Sequence, residues 1–264
     1  MCSLTIELGS GEGFSVASEA ELRLRAMEEL RSGLWEKLRE TMMYSTLPII
    51  LGSTLERKIL GQGSMTFLDT GDRLIGVTAA HVVEGLRKKM AEVPSRLYIN
   101  SVVVDDFDVI DLNEGVDLAT VQINDSYLQR KRPLTRIRGF SPAEQQCLLV
   151  SGFPASSNTS TDTQMIYGLF HGMGFTKSVS ADRISYEIER GYGIDELISD
   201  PLPKGTDLGG ISGGPMISFA MTTGGLNVFQ LSAVVSQAHQ EGEYIIGTRT
   251  SQISDDGSII SQRI

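Results

Sequence analysis

A serine set among glycines, Gly210-Ile211-Ser212-Gly213-Gly214-Pro215, lies far downstream of a histidine in Thr78-Ala79-Ala80-His81, and an aspartate in Asp117-Leu118-Ala119 stands between them. These three side-chain types perform nucleophilic acyl transfer together. A hydroxyl attacks the acyl carbon, an imidazole takes its proton, a carboxylate orients that imidazole, and amide N–H groups receive the oxyanion. Ser212 has two glycines after it and one two residues before it, so the backbone can turn tightly and offer its own N–H groups to an incoming carbonyl. Bulkier side chains would block that approach.

Each segment resembles its counterpart in the chymotrypsin-like (trypsin-like) serine peptidases, bacterial-type intracellular members included, and the order His, Asp, Ser is that family's order. The resemblance implies that His81 is the base, Asp117 its orienting acid and Ser212 the nucleophile, with the oxyanion hole formed by the N–H groups of Gly210 and Ser212. Asp105, Asp106, Asp108 and Asp111 also lie between His81 and Ser212, but none is followed by Leu-Ala. Weaker matches are Gly61-Gln62-Gly63-Ser64, Ser151-Gly152-Phe153-Pro154 and Val234-Val235-Ser236, so the resemblance runs from residue 47 to about 248. It makes Ser236 and Gln237 candidates for the edge that pairs with substrate backbone.

It also puts Thr206, six residues before the nucleophile, at the base of the primary pocket, with Asp207 beside it. A carboxylate is not placed there by this register, so small, medium apolar or polar side chains are expected in preference to Arg or Lys, with a one-residue shift of the loop that brings Asp207 into the pocket as the alternative. The residue before the nucleophile is Ile211, where secreted digestive members carry an aspartate that receives a new N-terminal amine. An apolar side chain cannot accept that ion pair.

Other readings compete. Gly210 to Gly214 also satisfies the Gly-x-Ser-x-Gly elbow of α/β-hydrolase esterases, but that fold needs an acid and then a histidine after the serine, whereas His239 precedes Asp255 and Asp256. A catalytically silent protease fold used as a binding module is the non-enzymatic alternative. His171 and His239 have no cysteine or carboxylate at metal spacing and are expected at the surface or pocket rim; no metal or other cofactor is expected.

The elements that must position these residues follow from texture and composition. The 264 residues, 41% of them hydrophobic, suffice for one two-lobed domain with an extension. From Ser18 to about Tyr44, Met27, Leu30, Leu34, Leu38 and Met42 recur at helical spacing, with Ser18 and Glu21 as a capping box and Gly33 as a weak point inside the run. This amphipathic helix either packs on the barrel or docks a regulatory protein partner. Short β-branched runs follow: 47–51, 58–68, 73–79, 96–104, 117–123, 147–151, 184–188, 215–219, 228–235 and 243–247. They predict an all-β chain, and with the resemblance two antiparallel six-stranded β-barrels with the site between them. The expected division is an extension at 1–46 and a peptidase domain at 47–264. The Ser-, Thr- and Gly-rich stretch 155–207 reads as loops, and the polar tail after Ser251 as a closing helix or a frayed end.

The net charge of −10 disfavours nucleic acid and anionic lipid as partners, leaving a protein or peptide substrate. Two cysteines, Cys2 and Cys147, suit a reducing compartment, with Cys147 expected in the core. The N-terminus lacks a basic start followed by an apolar stretch, and no apolar run approaches the roughly 20 residues of a membrane span. A soluble, cytoplasmic protein without an appended C-terminal peptide-binding domain is the expectation.

Overall fold

The computed structural model describes residues 33–56, 58–128, 131–135, 142, 144, 146–160, 165–187, 207–221, 227–238 and 244–260. Strands dominate them, as the β-branched texture requires, in two curled antiparallel sheets. The first holds β1 (Thr46–Ser53), β2 (Ile59–Asp69), β3 (Leu74–Thr78), β4 (Ser95–Ile99), β5 (Val102–Val104), β6 (Val109–Asn113) and β7 (Leu118–Gln122), in the order β5-β4-β1-β2-β3-β7-β6. Strand β8 (Leu134–Thr135) joins β2 in parallel, which gives this half eight strands where six were expected. After β9 (Cys147–Gly152) comes a small hairpin of β10 (Asn158–Ser160) and β11 (Met165–Tyr167). Then β12 (Phe170–Val179), β13 (Arg183–Glu187), β14 (Pro215–Met221), β15 (Asn227–Ala238) and β16 (Tyr244–Arg249) close with β9 into a six-stranded barrel. The architecture is the expected all-β double barrel.

Each half fills its own interior, and a third apolar cluster fills the seam. Leu47, Ile49, Met65, Phe67, Val82 and Leu97 belong to the first half, and Leu148, Val150, Tyr186, Ile211 and Met216 to the second. At the seam lies helix α1 (Trp35–Ser45), whose Trp35, Leu38 and Met42 fall on one helical face and are almost wholly buried. They pack against Leu68, Ile75 and Val77 of the first sheet and Leu149, Ile217 and Leu231 of the second. The last turn is satisfied from outside: Lys131 Nζ donates to the carbonyls of Met43 (2.8 Å) and Thr46 (2.7 Å), and Arg132 N–H donates to Tyr44 O (2.9 Å). Gly33 has φ +103°, which a regular α-helix excludes, so it bounds the helix and does not sit within it. The earlier part of the expected helix, with Ser18, Glu21, Met27 and Leu30, lies outside the described residues, as does Cys2.

Several expectations change. Helix α2 (Ala80–Glu92) fills the interval between the expected strands 73–79 and 96–104, burying Val82, Val83 and Leu86 on one face. The run 96–104 is two strands, broken at Asn100 and Ser101, both at positive φ. The stretch 155–207 holds four strands, β10 to β13, among its described residues. Cys147 is half-buried at the margin of the seam cluster. Beyond β16 the chain makes a 3-10 turn at Thr250–Gln252 and a bridge between Ile253 and Ile259. Among the described residues no helix is long and apolar enough to cross a membrane.

Leu38→Ala removes a fully buried side chain from the seam and should cost about 2–5 kcal/mol, whereas Met43→Ala on the exposed face of α1 should stay within about 0.5 kcal/mol. Urea unfolding with unchanged slope and a lowered midpoint for the first variant alone checks this.

Candidate active site

His81 occupies the first turn of α2, and the residue before the helix, Ala79, has no side chain able to cap it. Asp117 supplies the cap from a distant turn. Its Oδ1 accepts the backbone N–H of His81 at 3.0 Å, and its two oxygens lie 3.1 and 2.9 Å from the ring Nδ1. One carboxylate thus fixes both the helix that carries the imidazole and the tilt of the ring, and the helix N-terminus favours its negative charge. Burial pushes the Asp117 carboxyl up, but the side-chain and backbone hydrogen bonds from His81, with the charges of His81 and Arg183, outweigh it and hold the group below the ordinary carboxylate value.

Asp117 itself has φ +55°, the left-handed region, reached through a turn in which its N–H donates to Glu114 O at 3.1 Å. Two of the rival aspartates are engaged elsewhere: Asp106 forms a fork with Arg87, and Asp111 accepts the N–H of Ile259 at 2.7 Å.

The serine loop enters the seam from the second barrel. Ser212 O accepts the N–H of Ser64 on β2 at 2.8 Å, and Ser64 O accepts Thr78 Oγ1–H at 2.7 Å, three residues before His81. Gly213, at φ +91°, comes so close that a Cβ there would overlap both Ser64 O and Thr78 Oγ1. The loop and the start of α2 are therefore brought to the same end of β2 and β3. Ser212 is half-buried, and among the described residues its Oγ makes no hydrogen bond to His81, whose Nε2 is likewise unengaged.

The loop's amides divide sharply. The N–H of Gly209 donates to Asp207 Oδ1, that of Ile211 to Leu208 O, that of Gly213 to Val235 O and that of Gly214 to Ile211 O, at 2.7–3.1 Å. Among the described residues the N–H groups of Gly210 and Ser212 have no acceptor. Their peptide planes are nevertheless pinned, because Gly209 O takes the Ala155 N–H at 2.7 Å and Ile211 O takes the Gly214 N–H at 2.8 Å. Ile211 is wholly buried among Leu148, Val150 and Met216.

Other expected site residues fare differently. Thr206 and His239 lie outside the described residues. Asp207 is exposed and spends its side chain capping Gly209 N–H. Ser236 is buried, its hydroxyl donating to Ile246 O at 3.1 Å and accepting from Arg183 at 2.9 Å, so only its backbone remains for a substrate edge; Gln237 is exposed. His171 is in a strand and not a loop, and is half-buried. It lies on β12 with Nδ1 3.2 Å from Ser151 Oγ, whose own proton goes to Phe170 O, and burial, then the charge of Arg39, press its pKa down to about 4. It is a neutral wall residue.

Four residues take part that the sequence assigns no role: Gln62 and Ser64, present only in a glycine-rich match, and Thr66 and Arg183. The first three belong to β2 and bond the second barrel: Gln62 Nε2 to Phe153 O (2.6 Å), Ser64 Oγ to Gly210 O (2.9 Å) and Thr66 Oγ1 to Gly213 O (2.9 Å). Their alternation, polar at 62, 64 and 66 within a buried strand, was the available signal. Nothing in the sequence marks Arg183. No group of three or more metal-ligating side chains occurs among the described residues.

No family model and no curated protein matches the sequence. Solved structures do match. A serine endoprotease from Yersinia pestis aligns at TM-score 0.50 and 12% identity, covering 81% of this chain and 62% of that one. Rv3671c from M. tuberculosis H37Rv, in an inactive mutant form, aligns at TM-score 0.45 and 15% identity, covering 80% of this chain and 83% of its own. The likeness is one of fold: the chain adopts the chymotrypsin-like double β-barrel and spans 62% of the length of the Yersinia endoprotease.

Because the Asp117 carboxyl titrates below its ordinary value in the folded protein, its contribution to stability is complete above the unfolded value of about 3.9 and is lost as pH falls through the folded one. Urea unfolding should give a steady difference between wild type and Asp117→Asn near pH 5 that shrinks below about pH 4. A difference that stays flat to about pH 2 would remove Asp117 from the ion pair.

Proposed function

We propose that this chain is a serine endopeptidase. His81 Nε2 takes the Oγ proton of Ser212 as Oγ attacks the scissile carbonyl carbon, and Asp117, bonded to Nδ1, fixes the tautomer and stabilises the imidazolium. The N–H groups of Gly210 and Ser212 receive the oxyanion. Collapse of the tetrahedral intermediate expels the amine, which leaves with the proton held by His81. Water, deprotonated in turn by His81, then hydrolyses the acyl-enzyme and returns Ser212.

The observation that carries this reading is the pattern of donors. Among the described residues the N–H groups of Gly209, Ile211, Gly213 and Gly214 are engaged, and the two left over in this loop are those of the nucleophile and of the residue two before it, while His81 and Asp117 are bonded to each other. A peptide substrate suits the site better than a small ester, because β15 runs past its pairing with β14, which ends at Val234, and from Ser236 to Ala238 is paired only with β16 among the described residues. Such an edge binds extended chain by adding a strand. The net charge and the two cysteines fit a protein substrate met in the cytoplasm.

A fluorophosphonate probe should label wild type at Ser212, mapped by peptide sequencing, in buffer or in cell extract, and leave Ser212→Ala unlabelled. Asp117→Asn should fold normally and lower turnover of a cleaved peptide about 10⁴-fold, the scale of that change in serine proteases. A cooperatively folded wild type that is unlabelled in both settings would turn the reading to a silent binding module. Labelled protein that hydrolyses nitrophenyl esters but no member of a peptide library would turn it to an esterase.

A further inference from the structure

We infer that Ser64 is a positioning residue for the oxyanion hole, one that acts from the first barrel on a loop of the second; the inference rests on the peptidase reading above. Ser64 is wholly buried on β2, and each of its polar atoms is engaged at this junction. Its N–H donates to Ser212 O (2.8 Å), its carbonyl accepts Thr78 Oγ1–H (2.7 Å), and its Oγ donates to Gly210 O (2.9 Å) while accepting the N–H of Phe153 (2.9 Å).

The consequence falls on Gly210. Its N–H is one of the loop's two donors with no acceptor among the described residues, and glycine is the residue whose flanking peptide planes turn most easily. Here both planes are pinned: the one before it at Gly209 O by Ala155 N–H, the one after it at Gly210 O by Ser64 Oγ. Between those two bonds Gly210 is held at φ +101°. The loop itself has no ionic restraint, because its candidate position, Ile211, is apolar and buried. Deleting Oγ strands the buried N–H of Phe153 and leaves the plane after Gly210 held only at its other end, by Ile211 N–H to Leu208 O at 3.1 Å, so the plane regains part of its freedom to turn.

The role predicts an effect on rate at constant folded fraction. Under excess fluorophosphonate, the labelling amplitude reports how many molecules are folded, and the rate constant reports how well the oxyanion site is formed. Ser64→Ala should label to wild-type amplitude with a rate constant lower by about 10- to 100-fold, below the 10²–10³ of a donor lost outright, and with an unchanged pH midpoint because the His81–Asp117 pair is untouched. Ser64→Cys, which retains a weak donor, should fall between. Should the alanine variant fail to melt cooperatively, the cysteine variant carries the comparison by the same two readings. A reduced amplitude with an unchanged rate constant in the folded variant would make Ser64 merely structural and overturn the inference, as would a wild-type rate. Absence of labelling in wild type itself would instead defeat the peptidase reading.

Discussion

The loop from Gly209 to Gly214 belongs to the second barrel by sequence and is hydrogen-bonded to the first. Ser64 reaches it through both main chain and side chain, and Thr66 holds Gly213 O. None of these bonds can form unless the two halves are docked in one register, so the site exists only in the assembled molecule. The docking free energy must come from elsewhere, since each such bond nets only about 1 kcal/mol. Burying Trp35, Leu38 and Met42 in the seam is worth about 1.5–3 kcal/mol per side chain, with the apolar residues of both sheets contributing besides. Apolar burial therefore supplies the attraction, and the polar strand face sets the register. The helix that precedes the barrels is part of what holds the site together.

The all-β scaffold was legible in the sequence, and so were the segments of the candidate site, but several single elements were not. Glycines around Ser212 and the apolar strand before His81 are local signals, and the structure puts those segments at one end of β2 and β3. Strand β12 was passed over because a strand with Gly172 and Gly174 lacks the expected β-branched residues. The reason is tertiary: Gly174 lies against the backbone of Glu187, and Gly172 beside Phe170 and the Tyr186 hydroxyl, where a Cβ has no room. Helix α2 was obscured by Gly85, and its missing cap comes from Asp117, thirty-six positions from His81. Caps supplied across such a distance leave no local pattern to read. Ser64 was quoted only as part of a glycine-rich segment, since partners on another barrel are invisible from β2 alone.

Asp117 concentrates several costs in one residue. Left-handed backbone costs an L-residue roughly 1–2 kcal/mol, less for Asp and Asn than for others, and desolvation of its carboxylate opposes burial. Three contacts to His81 offset these, one of them a helix cap worth about 0.5–2 kcal/mol. An alanine cap residue at 79 together with a strained aspartate at 117 would be a poor local solution. The pair makes sense because a single carboxylate can then set the helix and the ring at once.

The two unengaged amides bear on the choice between an enzyme and an inert scaffold. A buried N–H without an acceptor costs about 1–3 kcal/mol, yet Gly210 and Ser212 are only half-buried, so water at the surface relieves most of that cost in the resting state. The donors are thus kept where solvent satisfies them and where a carbonyl oxygen could replace it. Pinning the carbonyl on the far side of each peptide plane preserves their aim without consuming them. A binding module would gain as much from turning either plane and closing an internal bond. On the peptidase proposal, holding both open, with Gly210 at positive φ, leaves two donors for the negative charge that develops on a substrate oxygen.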